Sequence, residues 1–199
     1  MIPISVKANS DRFIQHVSRI LDCSDEQSTL FIEHVDKVVR EVQGIFSQIA
    51  SHTVRDRKKR ALMNKTMKKH FEKPTSSIQV SSKNSGRIKV YAIKNYLVHL
   101  MNLSKHKYTK VKLIYSADYA SMGRMYSYVD PVYGKVFEFK IAVWQFFTGE
   151  NEDDLIFYSD ATQKDMIFMF HQERASEYWT LKIKAILAKE TISLDRFKQ

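Results

Sequence analysis

The sequence predicts an α+β protein, and three observations carry that reading. In the N-terminal third, apolar residues recur at helical spacing. In the C-terminal half, β-branched and aromatic runs are separated by short turn signals, and the last strong segment returns to a helical pattern. The expected organisation is a helical, basic N-terminal region over residues 1–74, a linker or loop over 75–86, and a mixed α/β domain over 87–199. That domain is expected to hold a five-stranded sheet with flanking helices.

The elements follow in order. Ser10 or Asp11 is placed to cap a first helix that carries Phe13, Val17, Ile20 and Leu21 on its apolar face. Ser24 and Gln27 have capping-box spacing for a second helix. Phe31, Val35, Val38, Val42, Ile45 and Ile49 then recur in steps of four and three, one continuous apolar seam. Such a seam must bury, either against the first helix and the C-terminal domain or against a second copy as a homodimer.

Val54 to Pro74 holds nine basic and two acidic residues with a thin apolar stripe of Leu62, Met63, Met67 and Phe71. This reads as a basic amphipathic helix that Pro74 ends. The Ser-rich stretch Pro74 to Gly86 reads as the linker. Next, VYAIKNYLVHLMNL suits a helix with Ile93, Tyr96, Leu97, Leu100 and Met101 inward. Five strands are expected at KVKLIYS, RMYSYVD, KVFEFKIAVWQFF, DLIFYS and KDMIFMFH, with DATQ turning between the last two. ERASEYWTLKIKAILAK is read as a closing helix that buries residues such as Tyr178, Leu181, Ile183, Ile186 and Leu187.

Charge narrows the function class. The net charge is +10, and it is unevenly placed. Residues 1–110 carry 21 Lys and Arg against 9 Asp and Glu, whereas residues 111–199 carry 11 against 13. Between Glu72 and Asp118 there is no acid but there are nine basic residues. Solvated faces normally mix signs, so the imbalance points to a polyanion as partner, DNA or RNA ahead of an anionic membrane or an acidic protein. The candidate phosphate contacts are Arg55, Arg57, Lys58, Lys59, Arg60, Lys65, Lys68, Lys69, Arg87 and Lys89.

Other classes are disfavoured. One cysteine, Cys23, supports neither an internal disulfide nor a cysteine-based zinc site, and fits a reducing cytoplasmic setting. No run reaches the roughly 18 to 20 apolar residues of a membrane span. With five glycines, the chain has no phosphate-binding loop, dinucleotide fingerprint or nucleophile elbow. His16, His34, His52 and His70 recur every 18 residues, but helix ends intervene, so no single face holds all four.

One stretch carries chemistry: VDPVYGKVFEFK, Val129 to Lys140. In a hairpin turning at Gly134, Asp130 closes one strand, and Glu138 and Lys140 share a face of the next, with Phe137 and Phe139 opposite. Two carboxylates can hold a hard divalent cation, and a lysine can steady developing charge. These residues resemble the PD-(D/E)xK nuclease superfamily, in which an Asp is followed on the adjacent strand by Glu-x-Lys. The matching positions are Asp130, Glu138, Phe139 and Lys140.

The resemblance implies a Mg²⁺-dependent nuclease with Asp130 and Glu138 as metal ligands and Lys140 as catalytic cation. Asp118 is an alternative first carboxylate. The alternative is that Glu138 and Lys140 form cross-strand ion pairs on a solvated hairpin. The protein would then be a non-enzymatic DNA- or RNA-binding or regulatory protein. Tyr115, Tyr119, Tyr126, Tyr128 and Tyr133, beside Arg124 and Lys135, offer a further reading as a base-stacking sheet face.

Overall fold

Four helices and a seven-stranded mixed sheet make up the computed structural model, which describes residues 4–81, 86–106, 108, 110–118, 125–150, 156–172 and 179–194. The helices are α1 (Ile4–Leu21), α2 (Asp25–Ala50), α3 (Asp56–His70) and α4 (Ile93–His106). The strands are β1 (Ser77–Val80), β2 (Lys89–Ala92), β3 (Lys110–Asp118), β4 (Tyr126–Asp130), β5 (Gly134–Glu150), β6 (Ile156–Gln172) and β7 (Trp179–Ser193).

The helix starts follow local chemistry. Ser24 Oγ accepts from the Gln27 amide at 3.2 Å, and Gln27 Oε1 accepts from the Ser24 amide at 2.9 Å, the reciprocal capping box that opens α2. By contrast, α1 begins at Ile4, upstream of the expected cap at Ser10 or Asp11. A Ser or Asp caps only where the preceding chain is not helical, and here it already is.

Along α2, Val35, Val38, Val42 and Ile49 are buried, with Phe31 and Ile45 packed against the same core. Each buried side chain of this kind contributes about 1.5–3 kcal/mol. The seam is consumed within the chain, which removes it as a homodimer surface. It meets the sheet directly: Phe31 lies 5.4 Å from Phe139 and 4.9 Å from Phe170 between ring centroids. Phe46 joins the layers, with Phe71, Tyr96 and Tyr115 all within 6.5 Å.

In the sheet the order is β2-β1-β7-β6-β5-β3, and β4 pairs with β5 beside β3. Among the described strands β1 and β7 pair in parallel and the other pairs are antiparallel. One edge of β5 thus serves two partners in tandem, β4 at Gly134 to Glu138 and β3 at Ala142 to Glu150.

Three expectations change. The segment 75–86 contains β1, whose Ile78 is buried against Ile186, so this part is a sheet strand and not a linker. A single hydrophobic cluster joins residues on both sides of it, from Val35 to Ile186. DLIFYS and KDMIFMFH, for their described residues, form one continuous strand, β6, through DATQ. Its polar residues have partners in place: the Tyr158 hydroxyl donates to Asp160, and Thr162 lies 3.0 Å from the Thr191 hydroxyl. The expected closing helix is β7 over its described residues, so the sheet has seven strands where five were expected.

Candidate nucleic-acid interface

The alternation along β5 sets two faces. Phe137, Phe139, Ile141 and Val143 point into the helix-covered core, while Glu138, Lys140, Ala142 and Trp144 point to the opposite face. Glu138 and Lys140 do share a face, as expected. What they meet there is a ladder of ion pairs.

Glu138 Oε2 lies 2.6 Å from Lys184 Nζ on β7 and 3.5 Å from the Tyr128 hydroxyl on β4. The Lys184 ammonium also sits over the Tyr128 ring, 5.6 Å from its centroid. The carboxylate beside it holds the Lys184 pKa above its ordinary value. Lys140 Nζ is 3.2 Å from Asp165 Oδ2, and Lys189 Nζ is 3.0 Å from Asp165 Oδ1. One β6 carboxylate is therefore clasped by two lysines.

Asp130 is elsewhere. Its Oδ1 accepts from the backbone amides of Val132 at 2.8 Å and Tyr133 at 3.0 Å, closing the turn between β4 and β5. Those two bonds, Tyr133 first, hold its pKa below the ordinary carboxylate value. In register Asp130 pairs with Gly134, and Glu138 pairs with Tyr126 at the other end of β4. Four strand residues separate the two carboxylates, about 13 Å at the usual rise.

A Mg²⁺ ion needs its oxygens at about 2.1 Å, so it cannot draw on both. Each carboxylate is already engaged, one by a lysine and one by backbone amides. Among the described residues no group of three or more His, Cys, Asp and Glu side chains is placed to hold a metal. Asp118 stands at the far end of β3 opposite Ala142, away from Asp130 and the turn. These residues do not fit a magnesium centre.

The helix α3 presents a different surface. Lys59, Met63, Thr66 and His70 face inward and are buried. Lys59 is only 2% exposed, which removes it from the candidate phosphate contacts: its position falls on the packed side of the helix. Arg57, Lys58, Arg60, Lys65 and Lys68 occupy the outer side and are exposed, as is Arg55 at the helix N-cap. From Arg57 to Lys68 this side runs about 16 Å.

Among the described residues none of these six cations has an ion-pair partner. Lys69 differs, since its Nζ lies 2.5 Å from Glu41 Oε2. Arg87, just before β2, and Lys89, its first residue, are exposed at the sheet edge. At the C-terminal end of α3, Lys182 from β7 donates to the carbonyls of Lys68 and Lys69, both at 2.8 Å. That satisfies carbonyls that a helix end leaves open. The same contact ties the helix to the sheet.

Of the tyrosines expected to stack bases, Tyr115 is buried and donates to Gln145 Oε1 at 3.1 Å. Tyr126 and Tyr128 are exposed on the open sheet face, and Tyr133 packs on His171 at 4.4 Å between ring centroids. Tyr119 and Arg124 lie outside the described residues. Sequence reasoning missed Lys184, Asp165 and Lys189 as partners of the hairpin. The alternation Leu181, Lys182, Ile183, Lys184 is the strand signal that places Lys184 beside Glu138.

No family model matches the chain, and no curated protein or solved structure matches it. The likeness to PD-(D/E)xK nucleases thus rests on the residues around Gly134 alone.

Proposed function

We propose that this protein binds nucleic acid without cutting it, and grips backbone phosphates with the outer side of α3. One contrast carries the reading. The lysines of the hairpin face are each paired with a carboxylate, Lys184 with Glu138 and both Lys140 and Lys189 with Asp165, whereas Arg55, Arg57, Lys58, Arg60, Lys65 and Lys68 stand exposed without one among the described residues. Unpaired cations of one sign along a helix repel one another, a cost that a polyanion relieves by releasing its own counterions.

Fluorescence anisotropy of a labelled duplex, titrated at several salt concentrations, tests this. With about five phosphates engaged, log K against log salt should slope by roughly −4 to −5. Charge reversal at Arg57, Lys58, Arg60 and Lys65 together should weaken binding to all sequences alike, because phosphate contacts position without specifying. Lys140→Ala and Lys189→Ala should leave affinity within about twofold, the behaviour of lysines already paired on another face. A flat salt response, or equal losses from both sets of variants, overturns the proposal. Full-length product after incubation with Mg²⁺ or Mn²⁺ is the expected outcome, and metal-dependent cleavage that EDTA stops would restore the nuclease reading.

A further inference from the structure

Where the start of α2 meets the ends of β5, β6 and β7, a cavity of about 350 Å³ opens to the surface. Its walls are aromatic. Phe137 stacks on Phe170 at 5.0 Å and 17° between ring planes, Phe31 lies 4.9 Å from Phe170, and Trp179 lies 5.1 Å from it. Trp179 is 48% exposed although it is the largest apolar side chain in the group. Leu30, at 64% exposed, also lines the cavity. Among the described residues, a half-open tryptophan beside a ring-lined cavity leaves planar surface unpartnered.

Leu21 and Cys23 also line it, the Cys23 thiol lying 3.3 Å from Ser28 Oγ, and two more polar side chains complete the lining, Gln27 and His34. Gln27 spends its oxygen on the Ser24 cap, which leaves its amide hydrogens to donate. Burial, with Lys37 nearby, lowers the His34 pKa and favours the neutral imidazole, which can both donate and accept. Cations stand close by. Lys37 acts electrostatically on His34, as do Glu41, in the opposite direction, and Lys69, which is paired with Glu41; Leu181 in the cavity wall precedes the Lys182 that is bonded to the end of α3.

We propose that this cavity receives one unstacked base of a single-stranded nucleic acid whose phosphates lie along α3. The inference rests on the phosphate-binding reading and adds strand preference to it. The volume is at the low end for ligand sites, about 300–1,000 Å³, a size for one planar ring system and not for a peptide helix. Aromatic walls suit the faces of a base, Gln27 and His34 suit its hydrogen-bonding edge, and the exposed Lys37 suits its phosphate. A base within a duplex is stacked and paired, so it cannot enter without being extruded.

Trp144→Phe leaves Trp179 as the one tryptophan of the chain. In that background, titration with a ten-nucleotide homo-oligomer should change Trp179 emission, and the matching duplex at the same salt should not. Trp179→Ala should weaken single-strand binding by about fivefold or more, the loss expected of one base–aromatic stack. Trp179→Phe should restore most of it, while duplex affinity stays within twofold in both variants. Unchanged emission with equal affinity for both strand forms, insensitive to Trp179→Ala, overturns the pocket proposal and leaves the α3 reading standing. Binding to neither form overturns both. An emission shift with an apolar peptide and none with the oligomer assigns the cavity to a protein partner and overturns it as a base site.

Discussion

Lys164 Nζ lies 3.1 Å from the backbone carbonyl oxygen of Gln79, reaching from β6 to β1 across β7 inside the protein. The lysine is 2% exposed and shares the helix-covered face with Val143, opposite it in register. Burial lowers its pKa from 10.5 to about 8, against a smaller opposing effect of Asp160. Between those two values the unfolded chain binds more protons than the folded one, so stability rises with pH across this window. The shift corresponds to roughly 3 kcal/mol.

Urea denaturation at successive pH values should therefore show stability climbing from pH 8 towards 10. Above 10 the trend reverses, because burial raises the pKa values of Tyr96 and Tyr115 and the unfolded chain loses those protons first. Lys164→Met should flatten the rise between pH 8 and 10. A variant with the wild-type slope would show that Lys164 is not its source.

At the acid end, His70 is the sensor. It is 2% exposed, and its Nε2 lies 3.3 Å from Glu41 Oε2 without the geometry of a hydrogen bond. Burial first, and then Lys69, depress its pKa from 6.5 to about 4. The unfolded chain takes up the proton first, so stability present above pH 6.5 is lost as pH falls from 6.5 to 4. His70→Phe should reduce that loss in a pH series of thermal melts. Equal slopes in the two proteins would count against it.

Much of the helical layer was legible because its signals are local. The Ser24–Gln27 box, the α2 seam and the buried set Ile93, Tyr96, Leu97, Leu100 and Met101 all appear as read. The strand β7 was not legible, and its bulge explains why. Its buried residues run Leu181, Ile183, Ile186 and Ala188, with steps of two, three and two, because the register slips where Phe168 faces Ile183 and Ile167 faces Ala185. That broken alternation, rich in Ala, Leu and Lys, imitates helical spacing. DATQ misled for the opposite reason, since turn-forming residues with partners across the sheet need no turn. The hairpin site was legible as a face and not as a site. The ion-pair partners of Glu138 and Lys140 come from strands 25 residues or more away, a separation that no local motif encodes.

Asp165 offers a test of that face. Asp165→Asn leaves Lys140 and Lys189 together without the carboxylate that each now touches. Stability should fall by about 1 kcal/mol at low salt and recover at high salt, as a partly exposed charge contact does. For a chain of this size that is a Tm shift of about 2–4 °C. The same change adds positive charge to the open sheet face. Affinity for duplex should stay within about twofold if α3 is the phosphate surface, and a marked gain would move the interface to the sheet.

A close approach between Tyr108 and β5 gives the last prediction. A Cβ built on Gly149 would lie 2.5–2.7 Å from three atoms of the Tyr108 ring, including Cγ. Cγ is fixed close to the backbone, so the ring cannot clear the site by rotating its far end. Tyr108 is itself buried, with Phe147 at 5.8 Å between ring centroids. Gly149→Ala should therefore destabilise by about 1–3 kcal/mol, as overpacking does. Tyr108→Ala alone should also destabilise, by loss of buried ring. Because both changes act on one space, their effects should not add: once the ring is gone, Gly149→Ala should cost little more than its effect on strand preference. Full additivity in a double-mutant cycle by urea denaturation would mean that the two residues do not share that space.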